Sequence, residues 1–260
     1  MAKVQFIAHE RAAPIEAPTC GRGRIRSRAY FKKEADPLRL QLHELTADTV
    51  LNVGTSGTDT LVYVWMGTVA VQGVRLVERS SLIVECGAFA EMSAVDNAAT
   101  VLFFTPKRQR PGERTAPRLR LLPRERVPCN RDLGGHGLAG GALHADASPA
   151  SCHLWLHEND FYVGGDPVAV HSHSEDEIIF VRDGELRVGS RAHGPGTAVA
   201  IAANTKYGFD VGPTGLSFVN FRAAAPTYKS SDGTHSMDEA EFWRSQTGQP
   251  EYLEFREGVL

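Results

Sequence analysis

The sequence predicts a mainly β protein, two related β-barrels in tandem with a short helix near the C-terminal end. Three observations carry this expectation. Apolar runs of strand length recur from one end of the chain to the other, glycines and polar turn residues separate them at the spacing of barrels and sandwiches, and the chain repeats itself at a spacing of 114 to 117 residues.

The runs, in order, are Leu61–Trp65, Ser81–Val84, Val101–Phe104, Ile178–Val181 and Leu216–Phe221. Near the end, Ser236-Met237-Asp238-Glu239 reads as a capping box, Phe242 and Trp243 offer an apolar edge, and Gly248 and Pro250 stop the helix. The repeat matches Leu40-Gln41-Leu42-His43-Glu44 to Leu154-Trp155-Leu156-His157-Glu158 at an offset of 114, and Thr58–Val64 with Gly67 to Glu175–Val181 with Gly184 at 117. An offset of 116 then aligns Ser81–Val84 with Thr197–Ala200 and Val101–Phe104 with Ser217–Asn220. The expected division is a first barrel over 1–115, a connector over 116–149, and a second barrel with the helix over 150–260. Lys107, Arg108, Arg110, Arg114, Arg118, Arg120, Arg124 and Arg126 have no interleaved aromatic residue, so they read as solvated connector charges and not as a nucleic-acid site.

Composition narrows the function classes. With 42% hydrophobic and 23% charged residues and a net charge of -3, the chain has the make-up of a globular protein, with no global pull toward nucleic acid or an anionic membrane. The N-terminus lacks an apolar signal core and no stretch approaches the ~18 apolar residues of a membrane span, so a cytoplasmic protein is expected. Cys20, Cys86, Cys129 and Cys152 form no CxxC pair and read as reduced, buried thiols.

The chemistry concentrates between Gly165 and Gly184. Alternate residues of a strand share a face, so His171 and His173 point the same way and Ser172 points aside. After the turn Ser174-Glu175-Asp176, Glu177 heads the next strand and can bring a carboxylate to the same point. Two imidazoles and a carboxylate on one side of a cation leave its other side open, which suits Fe(II), Mn(II), Ni(II), Cu(II) or Zn(II).

In these residues the chain resembles the cupin superfamily. The first cupin motif, glycine, five residues, His-x-His, three residues, glutamate, six residues, glycine, is met at every fixed position from Gly165 to Gly184. The second is visible in Gly189, Pro195, Gly196 and the run Ala202–Phe209, with one departure: Tyr207 stands where cupins usually place a fourth ligand, a histidine. Three readings of Tyr207 stay open: a phenolate ligand, which would favour ferric iron; an unligated acid or base; or a space-filling ring. An unperturbed tyrosine has a pKa near ~10, so duty as a base would need the metal or a cation to lower it. In the first repeat, Gly54, Ser56 and Thr60 replace His171, His173 and Glu177, and Glu91 replaces Tyr207. The resemblance therefore implies a bicupin with one live site, its first barrel free of metal and serving as cover or dimer interface.

The resemblance also frames the functional expectations. The first is a metal-dependent enzyme, an Fe(II)-type dioxygenase on a small organic substrate, with His171, His173, Glu177 and Tyr207 around the metal and Tyr207 and Glu177 as catalytic residues. The second keeps the metal and drops oxygen, giving a lyase, isomerase or cyclase in which Tyr207 moves a proton. The third is a non-catalytic small-molecule-binding bicupin. His157 and His153 share a strand face with Trp155 and either line the pocket or serve structure, the match of His157 to His43 favouring structure. Asn220 and Arg222 alternate on the final strand and could orient an anionic substrate, though such an arginine is more often at the surface. His136, His144, His193 and His235 read as surface residues.

Overall fold

The computed structural model describes residues 3–16, 20–31, 33, 35–54, 57–108, 116–133 and 138–256. Ser56, Arg110, Arg114 and His136 lie outside them. The described residues fold as antiparallel β-sheet in two compact units, with one α-helix among them, Glu239–Thr247. No helix among the described residues is long and apolar enough to cross a membrane.

One unit comprises Ala12–Val127, Pro149–Cys152 and Glu251–Leu260. Its long strand Thr60–Val71 pairs with Ala90–Pro106 on one side and Ser81–Val84 on the other. Leu61, Val62, Tyr63 and Val64 are all buried, and a core of aliphatic residues with Met92 and Phe103 fills the unit. The other unit comprises Met1–Arg11, Pro128–Ser148 and His153–Pro250. Here Glu177–Val188 pairs with Tyr207–Arg222 and Ala198–Ile201, over a core that includes Ile179, Val181, Val199, Phe209 and Phe218.

These units differ from the expected division at 115 and 150. Strand Arg118–Leu122 joins the first sheet and strand Leu138–Asp146 the second, so the expected connector is built into both sheets. The first strand, Val4–Ile7, pairs with Ala198–Ile201 of the second sheet, and the last, Leu253–Arg256, pairs with Arg118–Leu122 of the first. The internal repeat marks only the central strands of each barrel; flanking strands are assigned by hydrogen bonds across long sequence separations, which periodicity does not report. Within the supposed connector, Arg120 is 2% exposed and lies between Glu85 and Glu254.

Strand register also corrects the repeat alignment. In one barrel Phe103 pairs with Val62 and with Gln41; in the other Asn220 pairs with Ile179 and with His157. Because Thr60–Val71 and Glu177–Val188 correspond at 117, the counterpart of Asn220 is Phe103 and not Phe104, and that of His157 is Gln41 and not His43. A glycine is required at the same place in both long strands. Gly67 (φ 78°) and Gly184 (φ 71°) are left-handed, and a Cβ at either would lie 2.2 Å from a backbone oxygen, of Ala98 or Gly215 respectively.

The helix begins two residues later than the capping box suggested. Asp238 is the N-cap, its carboxylate accepting from the backbone N–H groups of Ala240 (2.8 Å) and Glu241 (3.1 Å), so Glu239 falls on the first helical turn. Trp243 and Ala240 seat the helix against Leu143 and Trp155. No disulfide joins Cys86, Cys129 or Cys152, and of these only Cys152 is buried.

Candidate metal centre

The site is built on the strand Val168–His173 and the starts or ends of its neighbours. His171 pairs with Tyr207 on one side and Ser230 on the other, and His173 pairs with Tyr228. Both histidines are buried, with ring centroids 4.8 Å apart in an edge arrangement. The Tyr207 ring lies 4.5 Å from that of His171, and Tyr228 stacks on His171 at 5.1 Å. Tyr228 sits outside the cupin-like motifs, and no local pattern marks it as part of the site.

Each imidazole has an oxygen against its Nδ1. That of His171 donates to the Ala169 carbonyl at 2.7 Å, and that of His173 is in close polar contact with Glu239 Oε1. A ring whose Nδ1 is engaged in this way presents the lone pair of Nε2, the arrangement found where histidine ligates a metal.

Glu177 heads its strand as expected and is 2% exposed. Its Oε2 accepts from Asn220 Nδ2 (2.9 Å) and Arg222 Nη2 (2.6 Å). Arg222 is 0% exposed, and its Nη1 reaches Glu239 Oε2 at 3.3 Å. A guanidinium can be buried at this depth only when carboxylates compensate it, and here there are two.

Glu239 joins the site from outside the cupin-like motifs. The capping-box pattern assigns it to the helix end, yet it is 4% exposed and faces His173 and Arg222. One signal was available: Glu239 and Trp243 are four apart, so a carboxylate shares the apolar face of the helix.

The charges explain the protonation states. Burial pushes the Glu177 carboxyl up, but Arg222, His173, Tyr207 and Asn220 outweigh it and leave it below its ordinary value. Burial likewise opposes ionisation of Glu239, and Arg222 with His173 overcomes it, bringing the carboxyl to about 2. Burial and the adjoining Glu177 hold the Tyr207 hydroxyl well above the usual tyrosine range. His171 is lowered, chiefly by burial.

His157 is buried beneath the helix, accepts a 2.8 Å hydrogen bond from Trp155 Nε1 and packs on Trp243. Burial and then Arg222 hold it well below the ordinary histidine value. His144, expected at the surface, is fully buried 3.1 Å from Glu158. His193 is half-buried on Phe6, and His235 is exposed.

For a divalent cation, the chemistry of the donors fits: two imidazoles with Nε2 to offer, an ionised carboxylate and a phenol. Their convergence is incomplete. Among the described residues no three His, Cys, Asp or Glu side chains meet closely enough to hold an ion, Glu177 being drawn to Asn220 and Arg222.

No family model matches the sequence, and no curated protein sequence is detectably similar. Solved structures are similar in fold. The E. coli protein Ylba, assigned to family DUF861, superposes with a TM-score of 0.67 over 85% of this chain and 90% of that one at 13% identity. A putative glyoxylate-induced protein from Pseudomonas aeruginosa gives 0.68 over 85% and 89% at 10% identity. The oxalate decarboxylase of Lactobacillus farciminis, in a formate complex, gives 0.65 over 97% and 88% at 10% identity. These neighbours are cupin-type proteins, and the fold of this chain is of that type.

Proposed function

We propose that this chain is a metal-dependent enzyme acting on a small organic acid by proton transfer without oxygen, a reaction of the lyase or isomerase type, with its one site on the second barrel. The observation that carries this reading is the Tyr207 ring set beside the imidazoles of His171 and His173, next to a Glu177 carboxylate held by Asn220 and Arg222. The similarity in fold to oxalate decarboxylases supports small carboxylates as the first substrates to try.

His171, His173 and Glu177 would hold a divalent cation, iron or manganese before nickel, copper or zinc, with Tyr207 beside it. Such a cation supplies Lewis acidity, stabilising negative charge on a substrate oxygen. Tyr207 holds its proton and lies where it can give it to a substrate atom, while Glu177, kept ionised by Arg222 and Asn220, helps keep the phenol protonated. Asn220 Oδ1 and Arg222 Nε are buried without a protein partner, leaving one acceptor and one donor to orient a substrate. The first barrel, without counterparts of these ligands, serves structure or a homodimer contact.

Turnover of small 2-oxo and dicarboxylic acids by iron- or manganese-loaded protein under argon is the test. Full activity without oxygen supports the reading, and activity that needs oxygen contradicts it. Tyr207→Phe should lower kcat by about 10²- to 10⁴-fold while metal content stays the same. The Fe(II) dioxygenase is the second reading. The two-histidine, one-carboxylate donor set with an open side favours it, and substrate-dependent oxygen uptake would select it.

A further inference from the structure

Residues 223–250 form an arm beyond the last strand of the second barrel. Strand Thr227–Ser230 pairs with the strand that carries His171 and His173, Ser236–Asp238 pairs back on it, and the helix follows. Two attachments fix the first turn of that helix: the Asp238 cap from outside, and Trp243 and Ala240 packed beside Trp155 from inside. The residue between these attachments is Glu239, whose carboxylate lies in close contact with His173 Nδ1, without a well-directed hydrogen bond, and with Arg222. Oε1 meets His173 Nδ1 and Oε2 meets Arg222 Nη1.

We propose that Glu239 is a positioning residue of the site. It fixes the proton of His173 on Nδ1 so that the Nε2 lone pair is presented, and it takes one arm of Arg222 so that the guanidinium does not collapse onto Glu177 alone. A carboxylate can only accept from an imidazole, so its place against Nδ1 selects one tautomer. Sharing Arg222 between two carboxylates leaves Glu177 with part of its charge to offer elsewhere. The inference rests on the metal reading above for its purpose, but its first measurement does not need a metal.

Protein with ¹⁵N-labelled histidine, stripped of metal and held at pH 8, should show His173 protonated at Nδ1 and bare at Nε2. Glu239→Ala should admit the other tautomer and weaken Mn(II) binding about 10- to 100-fold. Glu239→Gln, whose carbonyl still accepts from Nδ1, should restore most of the tautomer and part of the affinity. Glu241→Gln, at an exposed position of the same helix, should leave the tautomer and the Mn(II) affinity as they are. A proton on Nε2 in the unsubstituted protein overturns the proposal. So does Glu239→Ala with unchanged tautomer and Mn(II) affinity, or Glu241→Gln with the same effect as Glu239→Ala. If Glu239→Ala fails to fold, the unsubstituted protein and Glu239→Gln decide the matter. The expected tautomer in a protein that binds no Mn(II) would remove the metal reading and leave Glu239 in its role.

Discussion

The two barrels share a strand and differ in what it carries. Thr60–Val71 and Glu177–Val188 are each 12 residues long, run through the same sequence of buried and half-buried positions for their first ten residues, and turn on an equivalent glycine. One begins with threonine and the other with glutamate. On the strand alongside, Phe103 and Thr105 stand where the second barrel has Asn220 and Arg222, and on the strand beyond, Gln41 stands for His157. The fold asks only for alternation and a left-handed glycine at these places. The site asks for five or six particular polar groups, and each buried one needs a partner, so they come as a set or not at all.

The largest expected effect tests that interdependence. Arg222→Met should destabilise the second unit by about 3–5 kcal/mol, because it strands two buried carboxylates. Thr105→Val, at the matching place of the first unit, should cost no more than about 0.5 kcal/mol. Denaturant unfolding followed by hydrogen exchange in peptides of each unit measures both. Equal costs would mean that the contrast between the barrels is wrong.

Acid should then unfold the two units by different routes. Glu239 has a folded pKa depressed from 4.5 to about 2, so it contributes stability above its unfolded value that is lost as pH falls from 4.5 toward 2, on the order of 3 kcal/mol. In the first barrel, His43 is fully buried beside Ser27, and burial lowers it from 6.5 to about 4. A buried neutral histidine favours the folded state above its unfolded pKa, and this contribution falls away between pH 6.5 and 4. His157 and His171 of the second unit are lowered as well, so hydrogen exchange against pH should show both units weakening below pH 6.5 and the second alone losing more as Glu239 takes its proton. Glu239→Gln should flatten the lower arm of the profile, and His43→Gln the upper.

The smallest effect concerns His157. Trp155→Phe removes the donor to its Nδ1 and should cost about 1–3 kcal/mol without changing metal content, since His157 serves the seat of the helix.

What the sequence revealed and concealed follows the same physical line. The β class, the tandem repeat and the shared face of His171 and His173 were legible because they depend on local alternation and on matches within one chain. The burial of Arg120, Arg222 and Glu239 was not. A charged residue is buried only by virtue of a partner from a remote strand or helix, and no pattern within ten residues of Arg222 announces Glu177 and Glu239. Register was the other loss: alignment at 116 in place of 117 put Phe104 opposite Asn220, and a slip of one residue turns a side chain to the other face.

The claim of a single metal site on the second barrel is tested most directly by elemental analysis of freshly purified protein beside its His171→Ala and Thr60→Ala variants. The account predicts about one divalent ion per chain, lost on changing His171 and kept on changing Thr60. Metal that survives His171→Ala, two ions per chain, or none would contradict it.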